Sequence, residues 1–569
     1  MSEKSSVPLL AVILTIFLGN GSLLGEEGAS ASPQQSQGQA ELDRATRLRV
    51  SAKTMGQLEE IVAACERALE LGLDEGNRAY ATQLMTATLL EHASRFSSQI
   101  FEQNPPDRRW PQLREFALKD LEKLLKVDDK LAEAQFLFAR LHTLPGGDPI
   151  RARQAVERVI ELLENDKDPA AKDLLIRGLV MRGRLAVDPK QRLEYLDRAV
   201  YLDPGNEDAL KNRGLHYLES GEHEKAVDDF RTLLEAEDDI ALRQALSEAY
   251  VQSKQYDKAL EELNQIIESS PDDPVVYKVR SRVYLLKGDV LSALEDLNEA
   301  GRLAPDDISV LVMRGQVFRM TGQVAKARED VDRALSIDSQ NAEALLLRSS
   351  VCSEMGDFEQ AIADLRALLQ RNPQSEILRV ELARVYSAAR RPSRALEIMD
   401  AGLADEPKNP TLLRHKADTL LSMGRHKDAI KVYELALEVD SRDVGVLNNF
   451  SWVLATSPDD DVRDGQRSLK LATTACELTD HSQSHILSTL AAAYAELGDF
   501  EQALIWSDKA VETEVEDGKK EILEAEGKSY QLKKPWRERK TIDEQPEPES
   551  PSESDLEARK AIVNPSSSA

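Results

Sequence analysis

EDALKNRGLHYLESGEHEKAVDDFRTLLEAED, Glu207 to Asp238, decides the fold. It reads as two short amphipathic helices joined at Gly221. Leu210, Gly214 and Tyr217 recur at helical spacing before that glycine, and Ala226 and Phe230 after it. Gly214 and Ala226 are small enough for two antiparallel helices to approach closely. Tyr217 and Phe230 fill the space between neighbouring repeats, and Gly221 permits the turn. The pattern then returns. The first-helix aromatic recurs as Tyr250, Tyr284, Phe318 and Tyr386, with Cys352 and Leu420 in two repeats. The small second-helix residue recurs as Ala259, Ala293, Ala327, Ala361, Ala395 and Ala429. Pro271, Pro305, Ser339, Pro373, Pro407 and Ser441 close successive repeats at steps of 34 (305 − 271 = 34). Pro204 stands 67 residues before Pro271, one repeat of 34 and one of 33. A fixed period of this size specifies a solenoid, in which each repeat stacks only on its neighbours.

These positions resemble the signature of the tetratricopeptide repeat. The resemblance implies an all-α fold, a right-handed superhelical solenoid of helical hairpins. It covers seven regular repeats over 207–443 and two divergent ones over 444–516, the first carrying the insertion SPDDDVRDG (457–465). The last pair, densest over about 450–510, resembles the C-terminal repeats of secreted proteins from planctomycete-type bacteria. That resemblance implies a bacterial, exported protein and names no partner.

The ends read differently. Lys4 precedes the apolar run Val7 to Leu18, too short for a comfortable membrane span, and Ala29-Ser30-Ala31 offers small residues for cleavage. Residues 1–31 are therefore expected to be a signal peptide; cleavage nearer Gly25 is the alternative. Leu23-Leu24-Gly25 lacks the cysteine a lipid anchor needs, since Glu26 follows. An uncleaved signal would tether the chain to a membrane. Residues 32–50 are expected to be a polar linker and 51–206 an irregular helical region. Its two hairpins over 131–204 turn at Pro145-Gly146-Gly147 and Val187-Asp188-Pro189. Residues 528–569, with EQPEPESPSESD at 544–555, are expected to be a disordered acidic tail. A net charge of −28 opposes nucleic-acid binding and favours basic partners. Cys65, Cys352 and Cys476 are too few and too scattered for a disulfide framework.

Two positions vary together within the chain. Arg213, Arg280, Arg314 and Arg348 each have an aspartate 16 residues later (229 − 213 = 16): Asp229, Asp296, Asp330 and Asp364. Repeats without the arginine lack the aspartate, with Leu246 against Glu262, Leu382 against Ile398 and Lys416 against Val432. Antiparallel helices bring these positions side by side, so the spacing predicts an ion pair inside each hairpin.

No catalytic constellation stands out. GxSxG, P-loop, HExxH and GxGxxG patterns are absent. Cys476, His481 and His485 have ligand-like types without a fourth ligand of sound spacing. The loop Asp459-Asp460-Asp461 fails the EF-hand pattern, because Arg463, Asp464 and Lys470 stand at ligand or turn positions. No cofactor, metal or small-molecule substrate is expected. The expected function is a non-catalytic scaffold for other proteins. The alternatives are a membrane-tethered envelope assembly factor and an enzyme or enzyme accessory using 45–206, where His92 and His142 have no paired nucleophile.

The resemblance implies a concave groove lined by first helices. By register the groove residues are Lys211, Leu215, Gln244, Glu248, Lys278, Arg282, Val312, Gln316, Arg319, Arg384, Arg414, Asp418, Asn448 and Trp452. A clamp for a terminal carboxylate is excluded. Lys211 fits it, but Leu215, Ala245, Val275 and Val279 hold the companion positions. Lys278, Arg282, Arg319, Arg384 and Arg414 give a modest basic bias, which suits a partner segment of acidic character. Trp452 and Trp506 are expected in the core or at an end cap, and Trp110 in a loop, folded onto a neighbouring helix.

Overall fold

The computed structural model describes residues 33–102, 108–538 and 544. The Val7–Leu18 run and most of the acidic tail lie outside them. Among the described residues there are 27 helices and no strand, and no helix is long and apolar enough to cross a membrane. The chain divides into two compact units, residues 1–263 and 264–569, with the boundary inside the helix Tyr256–Ser269.

Cap chemistry sets the period. First helices of the C-terminal unit start at Pro274, Ile308, Ala342, Glu376, Pro410 and Val444, again 34 apart (308 − 274 = 34). Each follows a residue whose side chain accepts a backbone N–H of the first turn: Asp273, Asp307, Asn341, Ser375, Asn409 and Asp443. The turn between the two helices needs a left-handed residue. Gly288, Gly322, Gly356 and Gly424 supply it at φ 86°, 73°, 78° and 69°.

Packing follows the small positions. Ala226, Ala259, Ala293, Ala327, Ala361, Ala395 and Ala429 are all fully buried. A Cβ on Gly214 would lie 2.8 Å from the Phe230 ring, so this crossing admits only glycine without movement. The covarying pairs meet as two-pronged ion pairs. Arg213, Arg280, Arg314 and Arg348 each donate two hydrogen bonds of 2.6–2.9 Å to the aspartate 16 residues on. Where the arginine is missing, Glu262 pairs instead with Arg243 at 2.5 Å.

Three expectations need correction. The segment expected as a linker is the helix Pro33–Ser51, which pairs with Met55–Leu71 as the first hairpin of the N-terminal unit. Only Gly38, Leu42 and Ala45 are buried along it, so its apolar stripe is narrow. At Gly38 the helices cross so closely that a Cβ would lie 2.4 Å from the Gly72 carbonyl oxygen. The tail is not unstructured from residue 528. The helix Asp517–Gln531 continues through it and buries Tyr530, and Trp536 then packs on the cluster formed by Ala491, Ala495, Ala503 and Tyr530. Trp110 stands not in a loop but at the start of the helix Trp110–Val127, half-buried, with the Arg114 guanidinium 5.7 Å from its ring centre.

Candidate functional site

The first helices put most of the expected binding residues at the surface. Lys211, Gln244, Glu248, Arg282, Gln316 and Arg384 are exposed, as is Leu215. Lys278, Arg319, Arg414, Asp418 and Trp452 are half-buried, and Asn448 is buried. Val312 is not a surface residue: it is 2% exposed and belongs to a core cluster with Phe318 and Val331.

The basic bias largely cancels. Lys278 lies 3.2 Å from Asp307 and donates to Ser309 at 2.7 Å. Arg319 meets Glu354 at 2.7 Å, Arg384 meets Glu381 at 3.0 Å and Arg414 meets Asp443 at 3.5 Å. Asp307 and Asp443 are the caps of the next first helices. One carboxylate thus caps a helix and neutralises the cation of the hairpin before it. The case for an acidic partner loses its main support.

A different feature lies among the last helices of the C-terminal unit. A cavity of about 360 Å³ opens among the helices Val444–Thr456, Ser484–Glu496 and Asp517–Gln531. Asn448, Trp452, Ser488, Ile522, Leu523 and Glu526 line it, with His485, Glu514 and Lys519. A relay fixes Asn448. The Tyr433 hydroxyl and Asn449 Nδ2 donate to Asp418 Oδ1 at 2.7 and 2.9 Å. Asn448 Nδ2 donates to Asn449 Oδ1 at 3.0 Å. A carboxylate only accepts, so the order of both amides follows from it. Asn448 Oδ1 is left buried with no hydrogen-bond partner. Burial raises Asp418 above the usual carboxylate range, opposed by the bonds it accepts from Tyr433 and Asn449. On the cavity's other side Glu526, 5% exposed, accepts from Ser488 Oγ at 2.5 Å.

Trp452 is partly taken by the chain itself. Its Nε1 donates to Glu538 at 2.5 Å, while Glu538 N donates to the Thr456 carbonyl at 2.9 Å. Arg537 reaches Glu496 at 2.6 Å and the Ala455 carbonyl at 3.1 Å. Residues 532–538 form a strap across the last two hairpins.

The ligand-like types do not converge. Cys476 is buried with Sγ 3.8 Å from the Ile486 carbonyl, His481 stacks on Trp506 at 5.4 Å, and His485 lines the cavity. In the acidic loop Lys427 pairs with Asp459 at 3.1 Å, and Arg463 pairs with Asp460. His92 is buried and 2.6 Å from Asp120, with Phe96 edge-on to its ring. Among the described residues no group of three or more His, Cys, Asp or Glu is placed to hold a metal ion.

Sequence reasoning missed Asn449, Ser488 and Glu526. The signal for Glu526 was its helical spacing with Leu523, Gly527 and Tyr530, all buried along the closing helix.

Residues 217–283, 353–412 and 388–446 match one tetratricopeptide repeat family profile, and 312–376 match a second. Tetratricopeptide repeat protein 37 of Xenopus laevis is 29% identical over 170 residues, which is 28% of this chain. The match spans only 10% of that protein's length. Yeast Tom70 resembles the chain with a TM-score of 0.38 and 14% identity, over 88% of this chain and 96% of Tom70. A tetratricopeptide repeat protein from Parabacteroides merdae gives 0.34 and 16%, over 42% and 95%. YrrB, described as a TPR protein with an unusual peptide-binding site, gives 0.29 and 14%, over 33% and 96%. The chain is an all-α solenoid of helical hairpins, with tetratricopeptide repeats recognised over 217–283 and 312–446.

Proposed function

We propose that the protein is a non-catalytic scaffold that binds segments of other proteins along the face of its first helices. One observation carries the reading. In the C-terminal unit first helices touch across hairpins in two runs: Ile308–Met320 on Ala342–Glu354, and Glu376–Ala388, Pro410–Ser422, Val444–Thr456 and Ser484–Glu496 in turn. The outward side chains of these runs are spared from the core, and the second run ends at the cavity. Such a surface suits many small contacts with an extended or helical segment. The net charge of −28 disfavours nucleic acid as the partner. Hydrogen exchange on the full chain, with and without a captured partner, tests the reading. Protection concentrated on the first helices supports it, and protection confined to second helices or the strap overturns it.

The proposed setting is the bacterial envelope or the exterior, after export. The Val7–Leu18 run, with small residues following it, supports export. N-terminal sequencing of the native protein from soluble and membrane fractions decides the matter. A soluble chain beginning between about residues 26 and 32 supports cleavage. An intact Met1 in the membrane fraction makes it a tethered assembly factor instead.

A further inference from the structure

We infer that the chain's own acidic tail docks on the turn before the helix Pro392–Asp405, where Glu544 supplies the cap that this helix lacks. The inference stands apart from the first-helix face and does not rest on it.

The other second helices show what such a cap is. Asp289, Asp357, Asp464 and Asp499 precede their helices, and each accepts a backbone N–H of the first turn. Arg391 holds that place before Pro392–Asp405, one repeat after Asp357 (391 − 357 = 34), and its side chain makes no such bond. Gln323 and Arg425 make none either, so a missing cap alone marks no site. A seated carboxylate does. Ser393 N donates to Glu544 Oε1 at 3.3 Å, and Ser393 Oγ donates to Glu544 Oε2 at 2.9 Å. A residue 151 positions away thus takes the part of the absent aspartate. Its charge strengthens the hydrogen bonds and meets the positive end of the helix dipole.

Charge and tethering favour this occupant. Arg390, Arg391 and Arg394 flank Ser393. Arg391 pairs with Glu359, and Arg394 with Glu397 at 2.6 Å. Arg390 is exposed and has no such partner among the described residues. From Asp543 to Glu557 the sequence carries acids and no lysine or arginine. Glu538, six positions before Glu544 (544 − 538 = 6), is already held by the Trp452 indole and the Thr456 carbonyl. Closing so short a loop costs little entropy, and the tether keeps the Glu544 carboxylate at an effective concentration of about millimolar. A second copy of the chain in dilute solution offers far less.

The test is hydrogen exchange on the full chain, read at the Ser393 amide. Glu544→Ala is expected to speed exchange there by about fivefold, the scale of one lost cap. The Gln360 amide, which Asp357 accepts, is expected to keep its rate. In the native chain the Ser393 rate is expected to be the same at every protein concentration. An unchanged Ser393 rate in Glu544→Ala overturns the inference. An equal rise at Gln360 overturns it as well, because the loss is then a general loosening. Ser393 protection that falls on dilution assigns the carboxylate to a second copy and overturns the intramolecular docking.

Discussion

Arg314 and Asp330 lie 16 residues apart on the two helices of one hairpin and join through two hydrogen bonds of 2.7 Å each. The third arm of the guanidinium reaches back the same distance. Arg314 Nη1 donates to Asn298 Oδ1 on the preceding hairpin at 3.4 Å. Arg213 does so to Asp197 at 3.0 Å, Arg280 to Asn264 at 2.6 Å and Arg348 to Asp332 at 3.2 Å. Lys416, with no aspartate ahead of it, keeps only the backward contact, to Asp400 at 2.5 Å. Each arginine therefore closes its own hairpin and staples it to the one before.

Arg314→Leu or Asp330→Leu leaves a mostly buried charge without its partner, which costs on the order of 1–4 kcal/mol. Their side chains are 19% and 9% exposed, so solvent screening is limited. Replacing both removes the uncompensated charge. Urea unfolding should find the double variant more stable than the worse single one. A double variant that loses the full sum of the two would contradict the pairing.

Arg390 occupies the left-handed turn position at φ 57°, where Gly356 and Gly424 stand one repeat away on each side (390 − 356 = 34). An L-residue pays roughly 1 kcal/mol for that conformation. Arg390→Gly should raise stability by up to about 1 kcal/mol, and Gly356→Arg should lower it by a similar amount. Thermal unfolding of the pair reads both signs.

The strap makes a local prediction. Ending the chain after Gln531 removes the acceptor of the Trp452 indole and the Arg537 partner of Glu496, which keeps Arg463 at 3.0 Å. Trp452 emission should move to the red, and its quenching by iodide should rise. Glu538→Ala alone should weaken this end by about 2 kcal/mol, the scale of a hydrogen bond to a charged group. Unchanged quenching in both variants would show that the strap does not cover Trp452.

Acid should destabilise the N-terminal unit through His142. The ring is 7% exposed, and its Nδ1 accepts the Asp148 N–H at 3.1 Å. Burial and then Arg151 lower its pKa below the ordinary 6.5, with Asp148 opposing. A folded value below the unfolded one means the native state binds the proton less well. Its stabilising share is complete above about pH 6.5 and is lost as pH falls below that toward the folded value. His142→Asn keeps an acceptor for Asp148 and removes the titration. The pH dependence of unfolding below about 6.5 should flatten in the variant, and an identical slope would contradict the assignment.

The repeat array was legible because its packing rests on a few residue types that return every 34 positions (308 − 274 = 34). The Arg–Asp pair was legible because both partners belong to one hairpin and vary together. The helix Pro33–Ser51 was not, since three small or apolar residues in a polar run give no clear period. Nor was the neutral face. Lys278 finds Asp307 29 residues away and Arg414 finds Asp443 at the same spacing (443 − 414 = 29), so each acid sits on the next hairpin. The cavity escaped because its third wall is a closing helix outside the repeat pattern, and because Asn448 reads from sequence as ordinary groove surface.

The central claim is that partners bind on the first helices. Its most direct test is capture by the full chain from the native organism's envelope and secreted fractions. Two variants stand beside it: one changes the exposed first-helix residues Arg282, Gln316 and Arg384 to glutamate, and the other changes the exposed second-helix residues Glu295, Glu329 and Arg366 to alanine. The account predicts a protein held by the native chain and by the second-helix variant, and lost by the first-helix variant. Retention by the first-helix variant with loss from the second-helix variant would contradict it.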